Sequence, residues 1–361
     1  MLSTSALRGR IAEQVGPAAL RLEISWSVPR DFFRGFVFRR LPEEPSPRTA
    51  AGWDPETGVL HLDGPLTGDD AAGSACELRS FEEAPVLAAR LITGVPPGSP
   101  LPEIAVRLAT TRGTNALLER KGAATALFIT RGFADLLRIG TQQRPDLFAL
   151  AIEKPEPLYR EVVEAPERLA ADGTVLAPLD VEALRPEAER ALAAGCVSAA
   201  VALMHSFRNP RHEEELGDFL LRLGFRRVSL SAHLAPLIKL VPRAETAVVD
   251  AYLSPILEEY LDGVAGAVPR GSLHVMTSAG GLVRADAFRA KDALLSGPAG
   301  GVVGAALSGR RSGLTRIIAF DMGGTSTDVA RYDGDYEYLF EHRVGDAHLV
   351  APALAIESVA A

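Results

Sequence analysis

The sequence predicts a mixed α/β protein with a small β-rich unit at its N-terminus, and three observations carry that expectation. Short apolar runs such as TALFIT (125–130) and the run in CVSAAVALMHSF (196–207) alternate with amphipathic stretches of helical period, the pattern of β-α-β units. Residues 1–75 differ: DFFRGFVFRRL (31–41) alternates apolar and basic residues as a half-buried strand does, and WDPETGVLHLDGPL (53–66) places a turn before a second alternating run. The stretch IIAFDMGGTSTDVA (317–330) reads as a buried strand, a Gly-Gly turn and a second strand, which makes a hairpin.

Composition narrows the function classes. A length of 361 residues suggests two or three domains, and 47% hydrophobic with 23% charged residues is ordinary for a soluble globular chain. The net charge of −8 argues against a nucleic-acid binder working through its overall field. Cys76 and Cys196 are too few and too isolated for a disulfide framework or a thiolate metal site, which points to a reducing cytoplasm. No apolar run reaches the roughly 20 residues that a membrane helix needs, so no membrane partner is expected. The seven histidines form no H-x-x-x-H or H-E-x-x-H pair.

In chain order, the alternating arginines of FRGFVFRR suit a solvated edge strand with charged gatekeepers. EAPVLAARLITG (83–94) fits a short helix closed by Gly94, and a Pro-rich link leads to the strand IAVRLATT (104–111). In RGTNALLERKG (112–122), Thr114 or Asn115 can cap a helix that Gly122 ends. A helix and a polar loop follow TALFIT, in RGFADLLRIGTQQRPDLF. EKPEPLYREVVEAPERLAADG (153–173) reads as an extended excursion with one β segment at a domain junction. A helix over about 180–195, a strand, a helix with Leu216, Phe219, Leu220 and Leu223 on its apolar face, and RRVSLSAH complete a β-α-β unit. A long helix containing Pro255 comes next, then a strand with a glycine turn, and SGPAGGVVGAAL (296–307) opens a glycine-rich helix.

Chemistry concentrates at the hairpin. Gly323 and Gly324 allow backbone N–H groups to approach an anion, and the hydroxyls of Thr325, Ser326 and Thr327 add donors. Asp321 and Asp328 can hold a hydrated Mg²⁺ through oxygen ligands. A plain turn has no need of two aspartates and three hydroxyls. Gly297, Gly300 and Gly301 stand at a helix N-terminus, which is an anion site, although small residues there also permit close packing on a sheet. The spacing is not G-x-G-x-x-G, and no G-K-[ST] occurs. Thr111, Thr114 and Asn115 lie at a strand-to-helix turn suited to substrate contact, and Arg144 can meet a carboxylate.

TTRGTNALLERKG, TRGFADLLRIGTQQRPDLF, SGPAGGVVGA and FDMGGTSTDV, in this order, resemble the hydantoinase A and 5-oxoprolinase family of the actin-like ATPase superfamily. The resemblance implies actin-like (ribonuclease H-like) domains, with 1–75 as an insertion-like unit. It assigns 76–180 to the family's N-terminal region and 181–361 to the core that carries the phosphate hairpin. It implies ATP and Mg²⁺ as cofactors and hydrolytic opening of a cyclic amide, 5-oxoproline or a hydantoin, through a phosphorylated lactam. Asp321, Gly323, Gly324, Thr325, Thr327 and Asp328 would form the second phosphate loop, with a hydantoinase B-type subunit or fused domain as partner. The family's first hairpin, of the form D-x-G-G-T-F-T-D, does not precede this segment, and a glycine-rich adenosine-binding region follows it in the family, so the chain reads as a fragment. A small-molecule kinase and a non-catalytic assembly module are the competing readings.

Overall fold

The computed structural model describes residues 5–41, 47–66, 72–141, 148, 150, 154–322 and 326–360. They divide into two units, Met1–Val106 with Tyr260–Leu273 and Arg107–Glu259 with His274–Ala361. In the first unit, six antiparallel strands, β1 (Ala6–Gly16), β2 (Ala19–Glu23), β3 (Val37–Leu41), β4 (Arg48–Asp54), β5 (Val59–Leu62) and β6 (Ala75–Arg79), close into a barrel in the order β1-β2-β5-β4-β3-β6. Alternate side chains fill its interior, among them Leu7, Ile11, Leu20, Phe38, Leu60 and Leu78.

The structure corrects the expectation of a strand across 31–41. Only Val37–Leu41 is extended, and Phe32, Phe33 and Phe36 lie in the preceding turn, wholly buried. Asp31, at φ 61°, starts that turn, and its Oδ1 accepts the Trp53 N–H at 3.1 Å. The three rings plug the barrel, with Phe32 and Phe33 edge to face at 5.5 Å and Phe33 against Trp53 at 5.1 Å. Nor is β3 an edge strand, since it pairs with both β4 and β6. Helix α1 (Ala84–Thr93) ends as expected at Gly94, whose φ of 69° is the left-handed cap geometry, and β7 (Ala105–Leu108) follows.

The second unit is built on a parallel sheet. After α2 (Arg112–Leu118), strands β8 (Thr125–Thr130), β9 (Glu161–Ala165), β12 (Ser198–Ala202) and β13 (Arg227–Leu230) pair in the order β13-β12-β8-β9. Between them come the single-turn α3 (Leu136–Ile139), the small hairpin β10 (Arg168–Leu169) and β11 (Val175–Ala177), α4 (Arg185–Ala193) and α5 (Arg211–Leu223). Then follow the one-turn α6 (Ser231–Leu234) and α7 (Leu240–Ala267), with Pro255 in its interior. The unbroken apolar runs have a simple cause: both sheet faces are covered. Ala126, Phe128, Ala199 and Val201 pack on Ala188, Leu216, Phe219 and Leu220 of α4 and α5. The alternate set Leu127, Ile129, Ala200 and Ala202 packs on Ala244, Ala247, Val248 and Ala251 of α7.

Three local expectations change here. EVVEA is the β segment expected in this stretch, but as the edge strand β9, parallel to β8 and inside the second unit rather than at a junction; its composition is polar because the edge leaves three of its five residues partly exposed. The helix expected in RGFADLLRIG shrinks to α3, because the Glu164 carboxylate accepts the Gly132 and Ala134 N–H groups and holds the preceding residues in turns. Helix α2 starts after Thr111 rather than at Thr114 or Asn115. Gly122, past the end of α2, is required by packing: a Cβ there would stand 2.0 Å from the Tyr252 ring.

The remaining strands place the hairpin. β14 (Ser272–Met276) pairs antiparallel with β15 (Leu282–Arg284), and α8 (Ser296–Arg311) leads into β16 (Arg316–Met322) and β17 (Ser326–Asp333). β18 (Tyr338–Val344) and β19 (Ala347–Leu354) pair with each other, and β20 (Glu357–Ala360) adds to β17. One face of the β16-β17-β20 sheet lies on α8, through Ala299, Val302, Ala319 and Ala330. The other face carries Ile318, Phe320 and Met322, which are 74%, 66% and 70% exposed. β16 is therefore not the buried strand its apolar run predicts, because α8 covers only one side of this sheet.

Candidate phosphate and metal site

The hairpin register brings the two aspartates together. β16 and β17 pair without a shift from Arg316↔Asp333 to Met322↔Thr327, and Asp321 stands directly opposite Asp328. Directly opposed residues of an antiparallel pair share a face, with Cα atoms about 4.5–5.5 Å apart. That face is the one on α8: Asp321 Oδ2 lies 3.8 Å from where a Cβ on Gly301 would stand. Asp321 is exposed and Asp328 half-buried. Ser358 of β20, opposite Asp328, donates its hydroxyl to Asp328 Oδ1.

The first turn of α8 forms the other side. Its N-cap residue, Leu295, has no capping side chain; the Leu295 N–H is held by Ser278 and the Ser296 N–H by the Ala293 carbonyl, and Pro298 has none, so Gly297 carries the first-turn N–H that faces outward. A Cβ on Gly297 would stand 2.9 Å from Thr111 Cγ2, and one on Gly300 would stand 3.1 Å from Ala109 Cβ. These two glycines thus admit the strand-to-helix segment before α2, while Gly301 leaves room beside Asp321. Thr110 N–H donates to Ser296 Oγ at 3.3 Å, and Thr114 donates its hydroxyl to the Leu294 carbonyl.

Ser278, in the turn between β14 and β15, anchors the entry to α8. It is buried; its N–H and hydroxyl both donate to the Asp292 carbonyl, at 2.7 and 2.8 Å. Its Oγ accepts the Leu295 N–H at 3.0 Å, and its carbonyl accepts the Leu354 N–H at 2.8 Å. Ser278 falls in the glycine turn that the sequence places after β14, and its role in placing the helix is not marked there. A serine beside a Gly-Gly pair is the only local signal for it.

Of the expected site residues, Thr111, Gly297, Gly300, Gly301, Asp321 and Asp328 come together around this corner. Thr327 does not join them: opposite Met322, it lies on the sheet face turned from α8, and it is buried. The Thr114 hydroxyl is committed to Leu294, and Asn115 is exposed on α2. Gly323, Gly324, Thr325 and Arg144 lie outside the described residues, as does the side chain of Ser326. Among the described residues no group of three or more His, Cys, Asp or Glu side chains could hold a metal. A pair of carboxylates still suits Mg²⁺, which is commonly held by one or two carboxylates together with phosphate oxygens and water.

Two polar networks, neither visible in the sequence, lie at the C-terminal ends of β8 and β12. Arg243 and Glu213 are both wholly buried, 3.4 Å apart, and share Ser206 and Ser231 as partners. Glu213 also accepts the Leu203 and Ala232 N–H groups, each at 2.8 Å. His212 Nδ1 meets Glu167 Oε2 at 2.7 Å, and Thr130 donates to Glu167 while accepting the Met204 N–H at 2.8 Å. His212 is thus a buried partner of a carboxylate.

Residues 101–224 match the hydantoinase/oxoprolinase N-terminal region, and residues 243–361 match hydantoinase/oxoprolinase; together they make up more than half of the chain. The chain is 42% identical to 5-oxoprolinase 1 of Arabidopsis thaliana over 78% of its own length and 25% of that protein. It is 37% identical to 5-oxoprolinase of Saccharomyces cerevisiae over 71% of its length and 22% of the relative. It thus spans about a quarter of the curated relatives it matches. Among solved structures, a nucleotide-free acetone carboxylase is similar with TM-score 0.64 and 27% identity, covering 71% of this chain and 39% of that one. The ATP-dependent caprolactamase from Pseudomonas jessenii follows with TM-score 0.61 and 25% identity, covering 70% and 38%.

Proposed function

The chain belongs to the hydantoinase/oxoprolinase family, and we propose on that footing that it is part of an ATP-dependent enzyme opening a cyclic amide, with its phosphate site at the β16–β17 hairpin and the first turn of α8. The observation that carries this reading is the opposition of Asp321 and Asp328 on the face that meets Gly301. Two carboxylates there would hold Mg²⁺, and the ion would neutralise phosphate charge. Gly323, Gly324 and the Gly297 amide of α8 would supply N–H donors to phosphate oxygens. The proposed architecture is actin-like, with Thr111 at its substrate side.

In the proposed reaction the lactam oxygen takes the terminal phosphoryl group of ATP, and ADP leaves. The lactam carbon then accepts water, the C–N bond opens with its electron pair taken up by nitrogen, and a second water releases phosphate. This chain's residues position and neutralise, which is where phosphoryl transfer gains most. We place the enzyme in the cytoplasm, with 5-oxoproline and hence glutathione metabolism as the first substrate candidate and a hydantoinase B-type subunit or fused domain as partner. Lactam-stimulated phosphate release with stoichiometric ring-opened product tests the proposal, using 5-oxoproline, hydantoin and caprolactam. A stable phosphorylated product would identify a kinase instead. The similarity to acetone carboxylase, and to the acetophenone carboxylase gamma subunit of Aromatoleum aromaticum, supports a second reading as a carboxylase component. Phosphate release that needs a ketone and bicarbonate, and no lactam, would select it.

A further inference from the structure

The entry to α8 and the segment that leads into α2 meet backbone to backbone. Glycines make the approach possible: a Cβ on Gly113 would stand 3.3 Å from Ala293 Cβ, one on Gly297 2.9 Å from Thr111 Cγ2, and one on Gly300 3.1 Å from Ala109 Cβ. Hydrogen bonds cross the same seam. Thr110 N–H donates to Ser296 Oγ at 3.3 Å, between two buried residues, and the Thr114 hydroxyl donates to the Leu294 carbonyl. The next backbone group, Leu295 N–H, is held by Ser278 Oγ at 3.0 Å.

Residues 109–114 are thus pinned to 293–300 along their whole length, with no side-chain slack between the two backbones. Close-packed contacts of this kind transmit a displacement rather than absorb it. What they connect is functional on both sides. Thr111, at the proposed substrate side, faces Gly297, whose N–H is the outward one of the first turn. Gly301 stands one turn further along α8, beside Asp321.

We propose that Thr114 is a positioning residue which, through the Leu294 carbonyl, couples lactam occupancy at Thr111 to the phosphate-facing Gly297 amide. This coupling presupposes the ring-opening reading proposed above and goes beyond it, because it gives the reason nucleotide turnover would wait for the lactam. A misplacement of about 1 Å can cost about a hundredfold in rate, so a small shift of the Gly297 amide separates an idle site from a working one.

Thr114→Val keeps the shape of the side chain and removes the hydroxyl, and Thr114→Ser keeps the hydroxyl. Both variants are made in the enzyme that carries this chain and read in two ways. Hydrogen exchange over residues 293–300 without nucleotide, followed by mass spectrometry, is expected to run roughly two- to tenfold faster in Thr114→Val and at the parent rate in Thr114→Ser. The ratio of phosphate release from Mg²⁺-ATP with and without lactam (5-oxoproline, hydantoin or caprolactam, whichever stimulates the parent) is expected to fall roughly fivefold or more in Thr114→Val and to return in Thr114→Ser. Parent-rate exchange in Thr114→Val overturns the proposal whatever the activity. Faster exchange with an unchanged ratio overturns it too, since the bond would then hold the helix without coupling the two sides. A parent enzyme that no lactam stimulates sinks the ring-opening reading and this coupling with it, a result told apart from the others because it is seen without any variant.

Discussion

Alanine at Gly301 and at Gly297 separates two roles that the glycines of α8 play. A Cβ at Gly301 stands at ordinary contact distance, 3.8 Å, from Asp321 Oδ2. Gly301→Ala is therefore expected to change stability by no more than about 1 kcal/mol, and to raise KM for ATP by filling the space beside the carboxylate. At Gly297 the same atom would be 2.9 Å from Thr111 Cγ2, so Gly297→Ala must displace Thr111, at a cost of roughly 1–3 kcal/mol. Melting curves and ATP kinetics on both variants check this; unchanged ATP kinetics in Gly301→Ala would remove that residue from the site. The Arg243–Glu213 pair is a sharper test of burial. Losing one charge from a wholly buried pair strands the other, so Glu213→Gln is expected to cost about 3–5 kcal/mol in urea denaturation. His342 is buried, and burial holds its pKa below the usual 6.5. The unfolded chain then binds the proton more readily than the folded one. The favourable share is complete above pH 6.5 and is lost as pH falls toward the depressed folded value. His342→Leu should flatten the stability profile below about pH 6.5, and an unchanged slope would show that His342 is not depressed by burial.

Helix α8 is the element on which the proposed site turns, and its contact with β16 depends on Gly309. A Cβ there would meet Ile317 Cδ1 at 2.2 Å. Gly309→Ala is expected to destabilise the protein by roughly 1–3 kcal/mol, and Ile317→Val, which removes the clashing methyl, to restore part of that. Double-mutant denaturation gives the coupling directly, and strict additivity would mean that the two do not touch. At this scale the sequence could be read where one local cause decides the outcome. TALFIT and SAAVA are strands because both faces are buried, and the β16–β17 pairing places Asp321 against Asp328. The run from Ile317 to Phe320 looks the same in sequence, yet only one side of it is covered, and no apolar run reports how many layers pack on it. The phenylalanines of 32–36 mimic strand alternation while filling a barrel from a turn. Arg243 and Glu213 are 30 positions apart, and Ser278 reaches Leu295 across 17, distances at which pattern carries no signal.

Across the whole molecule, burial of the parallel sheet on both faces and exposure of one hairpin face predict a gradient of local stability. Amide exchange should be slowest over Thr125–Thr130 and Ser198–Ala202 and faster along β16, with mass-spectrometric hydrogen exchange as the check. Equal protection along β16 would mean that its open face is covered in solution. Among the described residues, no helix is long and apolar enough to cross a membrane. The proposed reaction needs Asp321 as a ligand for the metal at the nucleotide phosphates. Its most direct test is phosphate release from Mg²⁺-ATP with 5-oxoproline, comparing the enzyme that carries this chain with its Asp321→Asn variant. Lactam-stimulated release should be lost in the variant while its melting temperature stays within a few degrees of the parent. Release at the parent rate would contradict the assignment of the hairpin as the phosphate and metal site.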